Sequence, residues 1–189
     1  MTIPEPTAGD SARREDGGER HTVDSAELAA FWEVARVKAR LNRFEIYTGA
    51  NAAASLMPPA WAFGSTPEQA DSLLGLVLDG VKTGTASALW DIEATGEPLP
   101  EVGALSIVLD GAAHPRALVR TTAVTIVPFC EVTPEHAYAE GESDRTLASW
   151  RRIHAWYFRT FAEHDRGFEP DMPIVCERFE VLHPTRRSA

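Results

Sequence analysis

The stretch from Arg116 to Phe129 constrains the fold more than any other part of the chain. Its Val, Ile and Thr residues alternate along its length, a pattern suited to a pleated strand whose successive side chains face opposite ways. Thr83 to Leu89, Ala104 to Leu109 and Pro173 to Leu182 share that character, and Asp110-Gly111 marks the turn into the long strand. The predicted centre of the molecule is therefore β-structure.

Helices are signalled around these strands. Thr66-Pro67-Glu68-Gln69 offers a cap, a proline at the first helical position and acidic or amide groups in the first turn. It predicts a helix from Thr66 to Asp79, closed by Gly80 in a left-handed conformation. Thr133-Pro134-Glu135 repeats the signal for a short helix ending near Glu140-Gly141. Leu147 to Phe161 reads as another, with Trp150, Ile153, Trp156 or Tyr157, and Phe161 on its buried side.

Upstream, Asp24 and Glu27 have capping-box spacing. Leu28, Phe31, Trp32, Ala35, Val37 and Leu41 then recur at helical intervals, predicting an amphipathic helix over 25–42. Its apolar face docks on the main domain or on a second subunit, which makes it the candidate homodimer contact. Residues 1–22 contain the run Arg13 to Arg20 with no apolar residue and are expected to form a disordered tail. The expected organisation is that tail, the helix and a linker over 23–57, one domain over 58–183, and a short tail over 184–189. We find no internal repeat. The class is α+β, a compact mixed barrel with helices packed around it.

A length of 189 residues with 44% hydrophobic content suits a single core. No apolar run approaches the roughly 20 residues of a membrane-spanning helix. The opening Met1-Thr-Ile-Pro-Glu-Pro lacks the basic start and apolar stretch of an export signal, so a cytoplasmic location is expected. Cys130 and Cys176 sit in apolar stretches without metal-ligand spacing and read as buried thiols. The formal net charge of -10 argues against a large basic face coating nucleic acid. It favours a small nucleoside or a short RNA over long duplexes, and leaves a local basic cleft open.

Two clusters carry candidate chemistry. Gly80 to Ser87 packs Lys82, Thr83, Thr85 and Ser87 into the start of a strand, where the three hydroxyls fall on one face. Such a surface binds a phosphate or polar base, or supplies a hydroxyl nucleophile; the same run also fits an ordinary strand start with a solvated lysine. His136 to Asp144 places Glu140, Glu142 and Asp144 around a glycine. These carboxylates suit a general base or a divalent cation, and equally an acidic loop between helices. His136 and His154 read as hydrogen-bonded structural residues.

Several segments, taken in order, resemble the ASCH domain of the larger bacterial type, related to PUA-like pseudobarrels. They are Trp61-Ala62-Phe63-Gly64, Ala70-Asp71, Leu76 to Ser87, Pro100-Glu101-Val102-Gly103, Arg120-Thr121-Thr122, Pro128 to Val132, Ala139 to Glu142, and Trp150-Arg151 with His154. The resemblance implies a PUA-like β-barrel with a Gly-x-Lys-x-x-Thr signature, here Gly80, Lys82 and Thr85, facing a cleft.

In the small amidohydrolase members, the matching catalytic positions are Lys82, Thr85 and Glu140. By that likeness Lys82 takes the proton from Thr85, Thr85 attacks an amide such as that of N4-acetylcytidine, and Glu140 positions the pair. Ser87 departs from the Arg common there, which puts one substrate contact in doubt. The larger members resemble RNA-binding proteins with metal-dependent ribonuclease activity. That implies single-stranded RNA as partner, Mn or Mg held by Glu140 and Glu142, and no organic cofactor. Trp61, Trp90 and Trp150 are then candidates to stack a base, against an alternative of core packing. Arg120 and Arg151 are candidates to bind phosphate, with Arg151 equally suited to pair with Glu142 or Asp144. Three functions follow: a ribonuclease on single-stranded RNA, placed first, a nucleoside amidohydrolase, and a non-catalytic RNA or modified-base module.

Overall fold

The computed structural model describes residues 23–41 and 57–184. The expected tail over 1–22, residues 42–56 of the expected helix and linker over 23–57, and all but Pro184 of the expected tail over 184–189 lie outside the described residues. The elements are α1 (Ser25–Lys38), β1 (Ala60–Trp61), α2 (Pro67–Leu78), β2 (Gly84–Ala88), α3 (Leu89–Thr95), β3 (Leu105–Leu109), β4 (Pro115–Pro128), α4 (Pro134–Glu140), α5 (Leu147–Thr160) and β5 (Pro173–His183). A 3-10 turn, Phe129–Glu131, follows β4.

The strands form one five-stranded sheet in the order β1-β3-β4-β5-β2. Among the described residues the β1–β3 pair is parallel and the other three pairs are antiparallel. The long strand expected from Arg116 onward is β4, which pairs with β3 along its first half and with β5 along most of its length. The ladder shifts register at Thr121/Ala123, so Thr122 is a bulge that bends the sheet there. The α+β class stands. Pairing between the edge strands β1 and β2, which would close a barrel, is not among the pairings of the described residues.

The helix ends follow from their caps. Thr66 accepts from the Gln69 amide at the start of α2, and Thr133 and Thr146 do the same for His136 and Ser149 at the starts of α4 and α5. Gly80 adopts φ +57° just beyond α2, as its position after the helix requires. Asp24 caps α1 through the amides of Ala26 and Glu27, and the helix ends at Lys38, short of the expected residue 42.

Alternation sorts the core. On β3 and β4, Ile107 and Leu118 face α1 and pack on Leu28, Trp32 and Ala35. Val108, Ala117 and Val119 face the opposite way, toward Leu74 and Val77 of α2. A third cluster joins Trp150 and Phe158 of α5 to Phe129, Ile174 and Cys176. The apolar face of α1 is thus covered by the chain's own sheet, leaving Val34 and Val37 exposed.

Four expectations need correction. Leu89, taken as the end of a strand, starts α3 instead. Thr83 precedes β2 rather than sharing its face with Thr85 and Ser87, and its hydroxyl meets the Ala139 carbonyl at 3.4 Å. Cys130 is exposed while Cys176 is buried, and burial pushes the Cys176 thiol up to about 12. The buried stripe of α5 is Trp150, His154 and Phe158 at i, i+4, i+8, so Trp156 and Phe161 face outward.

Candidate functional site

Lys82 lies in the short connection between α2 and β2 and is only 1% exposed. A buried ammonium is costly unless paired and hydrogen-bonded, and this one is. Its Nζ donates to Oε2 of Glu140 at 3.0 Å and to Oε1 of Glu142 at 2.8 Å, with the Glu140 carbonyl at 3.5 Å. The Phe63 ring adds a face 5.2 Å from Nζ.

The two acids arrive from the end of α4 because of the residue between them. Gly141 has φ +74°, and a Cβ there would stand 2.8 Å from the Val81 carbonyl carbon and oxygen. Glycine is therefore needed twice, for the left-handed turn and for the approach of the chain beside Lys82. The Thr83 amide donates to the Ala139 carbonyl at 2.7 Å and fastens the two segments together.

Glu140 is as buried as Lys82 and fully engaged. Its Oε1 accepts from the Trp150 indole at 2.6 Å and from Nε2 of His136 at 3.1 Å. Its Oε2 accepts from Lys82, with Nε2 of His154 at 3.6 Å. Burial alone would push this carboxyl up, but Lys82 and His154, aided by the hydrogen bond from His136, hold it well below the usual carboxylate range. Burial likewise pulls Lys82 down, and Glu140 and Glu142 outweigh that and raise it. Both directions describe one ion pair that stays charged.

His154 is oriented from behind. Its Nδ1 meets the Trp150 carbonyl at 3.0 Å, and only an N–H satisfies a carbonyl, so Nε2 is left facing Glu140. The ring stacks on the Trp150 indole at 4.2 Å and 16°.

This cluster forms the floor of a cleft of about 350 Å³. Trp61 and Phe63, Gln69 and Leu73 of α2, Trp156 and Tyr157 of α5, and Thr85 and Ser87 of β2 join the lining. In the β2–β5 ladder Thr85 stands opposite Glu177, so the two side chains leave the same face of the sheet. Burial pushes the Glu177 carboxyl up, offset in part by the Thr121 hydroxyl that donates to it at 3.3 Å.

Of the residues singled out in the sequence, Lys82, Thr85, Ser87, Glu140, Glu142 and Trp61 meet at this cleft. Trp150 stands behind Glu140 as a buried donor and does not line the wall. Trp90 packs edge-on against His164 at 5.2 Å, away from the lining. Arg120 pairs with Glu180 on the exposed sheet, and Arg151 donates to the Cys130 carbonyl at 2.7 Å rather than to Glu142 or Asp144. Glu177 carries no signal in the sequence, Phe63 enters it only through the family likeness, Trp156 or Tyr157 is expected on the buried side of α5 rather than at a cleft, and His154 is expected to be structural. A frame on α5 set by Trp150, His154 and Phe158 would have exposed Trp156 and Tyr157.

The ASCH domain model matches residues 59–183, which contain every element of the cleft. The chain belongs to the ASCH domain family. A crystal structure of an Enterococcus faecalis protein is similar at 35% identity and a TM-score of 0.69, over 82% of this chain and 88% of that one. The ASCH domain from Lactobacillus crispatus is similar at 25% identity and a TM-score of 0.71, over 85% of this chain and 96% of its own. No curated protein matches.

A divalent ion shared by Glu140 and Glu142 does not fit this ASCH floor as it stands. The position between the two carboxylates is taken by the Lys82 ammonium, whose charge a metal ion would oppose. Among the described residues, no group of three or more His, Cys, Asp and Glu is arranged to hold a metal. Nor is any helix among them long and apolar enough to cross a membrane.

Proposed function

We propose that this ASCH protein binds RNA by receiving one unpaired base, or the equivalent free nucleoside, in the cleft above Lys82. The observation that carries the reading is the pairing of aromatic walls with a hydrogen-bonding floor. Trp61 and Trp156 offer faces on which any base stacks. Glu142, 22% exposed at its side chain, leaves an acceptor beside the Lys82 donor. Lys82, Glu140 and Glu142 carry a formal -1 together, which suits a base edge with an amino group better than a phosphate. Titration calorimetry with cytidine tests this. The expected result is saturable binding by the parent protein that falls at least tenfold in Trp156→Ala; absence of heat with cytidine and with other nucleosides alike would sink the reading.

A second reading is favoured by the convergence of Lys82, Thr85 and Glu140: hydrolysis of an amide on that base, as in N4-acetylcytidine. A lysine held as an ammonium is a poor base and a good donor, so Lys82 polarises the amide carbonyl. Glu140, with its oxygens occupied, anchors Lys82. In this reading Glu177, opposite Thr85 in the ladder and with its carboxyl raised by burial, takes the Thr85 proton as the hydroxyl attacks and returns it to the N4 amine as the amide C–N bond breaks; water then releases acetate from the Thr85 ester. Acetate release from N4-acetylcytidine, compared with Thr85→Ala, measures it; equal rates in the two proteins would remove this chemistry. The ribonuclease reading draws less support, because the lysine it needs for a phosphorane is already neutralised by two carboxylates.

A further inference from the structure

The outer face of α5 differs in charge from the rest of the chain. The protein has 28 acidic and 18 basic residues, yet α5 contains no acid and carries Arg151, Arg152 and Arg159, all exposed. None of the three forms an ion pair among the described residues. Arg151 donates to the Cys130 carbonyl, Arg152 to the Ser149 hydroxyl at 3.2 Å, and Arg159 to the Ala155 carbonyl at 3.3 Å while lying over the Phe168 ring. Asp144, before the helix, feels Arg152 electrostatically without a salt bridge to it. Three exposed guanidiniums thus stand without a salt bridge among the described residues of a strongly acidic protein.

Spacing joins this charge to the cleft. Arg152, Trp156 and Arg159 recur at i, i+4, i+7 and form one stripe along the helix. Trp156 is 53% exposed and also lines the cleft, so the stripe runs past its mouth with an arginine on either side of the wall tryptophan. The two arginines are separated by about 10 Å of helix axis. A cation, an aromatic face and a second cation in a row match a polyanion whose bases are free to stack. An acidic peptide would use the charges and leave the exposed indole without a role.

We propose that the Arg152–Trp156–Arg159 stripe is a track for the sugar-phosphate backbone of single-stranded RNA, so that the cleft takes its base from a strand rather than only from free nucleosides. This rests on the cleft reading above and adds the surface that holds the strand's backbone. The acidic floor reads the base, and the arginines outside hold the phosphates on either side. Opposite charges in two adjacent places let an acidic protein bind RNA locally without coating it.

The test compares cytidine with an oligocytidylate hexamer by titration calorimetry on the full chain at low and moderate salt. The parent should bind the hexamer at least tenfold more tightly than cytidine. Two phosphate contacts imply a slope of about -1.4 in log K against log salt, or about sevenfold between 0.05 and 0.2 M. Arg152→Glu/Arg159→Glu should abolish the gain and the slope while cytidine binding stays at the parent value; Arg152→Ala/Arg159→Ala, which keeps helix-forming residues, should show the same trend more weakly. Hexamer binding unchanged in both double variants would overturn the track, as would an oligoglutamate binding as tightly as RNA. Arginine-dependent hexamer binding without any cytidine binding would support the track and discard the cleft reading alone.

Discussion

At the scale of single residues, the site turns on one buried cation shared by two carboxylates of unequal freedom. Removing Lys82 leaves Glu140 and Glu142 facing each other without a counter-charge, whereas removing the Glu140 charge leaves Lys82 with Glu142. Lys82→Met should therefore cost about 3–5 kcal/mol, and Glu140→Gln less, as measured by urea unfolding. The pair also sets a pH window. Glu140 is depressed, so its contribution is complete above the unfolded value of about 4.3 and is lost as pH falls through the lower folded value. Lys82 is raised, so its share is complete below about 10.4 and lost as pH climbs through the higher folded value. Stability measured against pH should show an acid limb that Glu140→Gln flattens; an identical limb in that variant would count against the pairing. Nothing in the spacing of Lys82 and Glu140, 58 residues apart, reveals that they touch. Their joint role was legible only through family likeness, while Glu177 escaped because its position opposite Thr85 depends on strand register.

Among the elements, the junction of α4 with the lead into β2 is the tightest constraint. Gly141→Ala should lose about 1–2 kcal/mol from the left-handed backbone alone, and more from the contact with Val81. Calorimetric melting should show that loss, together with weaker cytidine binding as Glu142 shifts from Lys82. Threonine followed by proline made the starts of α2 and α4 readable, because the cap and the fixed φ are local chemistry. The start of α3 was not readable: its N-cap is Ala88, with no side-chain hydrogen bond, and the strand before it runs straight into the helix. The two residues of β1 were equally invisible, since a pair so short has no period, and it is held by the parallel match of Ala60 and Trp61 with Ile107 and Val108. On α5 the apolar residues Ile153, Trp156 and Phe161 suggest an inner stripe that the structure replaces with Trp150, His154 and Phe158, because a histidine looks polar until a buried carboxylate supplies its partner.

For the molecule as a whole, the sheet separates the support of the fold from the work of the cleft. Trp32 of α1 packs on Ile107 and Leu118, on the face of β3 and β4 opposite α2. Trp32→Ala should cost about 3–5 kcal/mol in unfolding measurements and leave cytidine affinity unchanged; a matching loss of affinity would show that α1 reaches the site. The same division places the tryptophans usefully. Of the five, Trp61 and Trp156 border the cleft, Trp150 is buried behind it, Trp32 is buried between α1 and the sheet, and Trp90 packs on His164 away from the lining. A base stacked in the cleft should therefore quench intrinsic indole emission only in part, preferentially at the red edge contributed by the solvent-facing Trp156. The emission left at saturation should be that of the indoles outside the cleft, Trp32, Trp90 and Trp150, which gives the protein an unlabelled optical gauge of how full its cleft is.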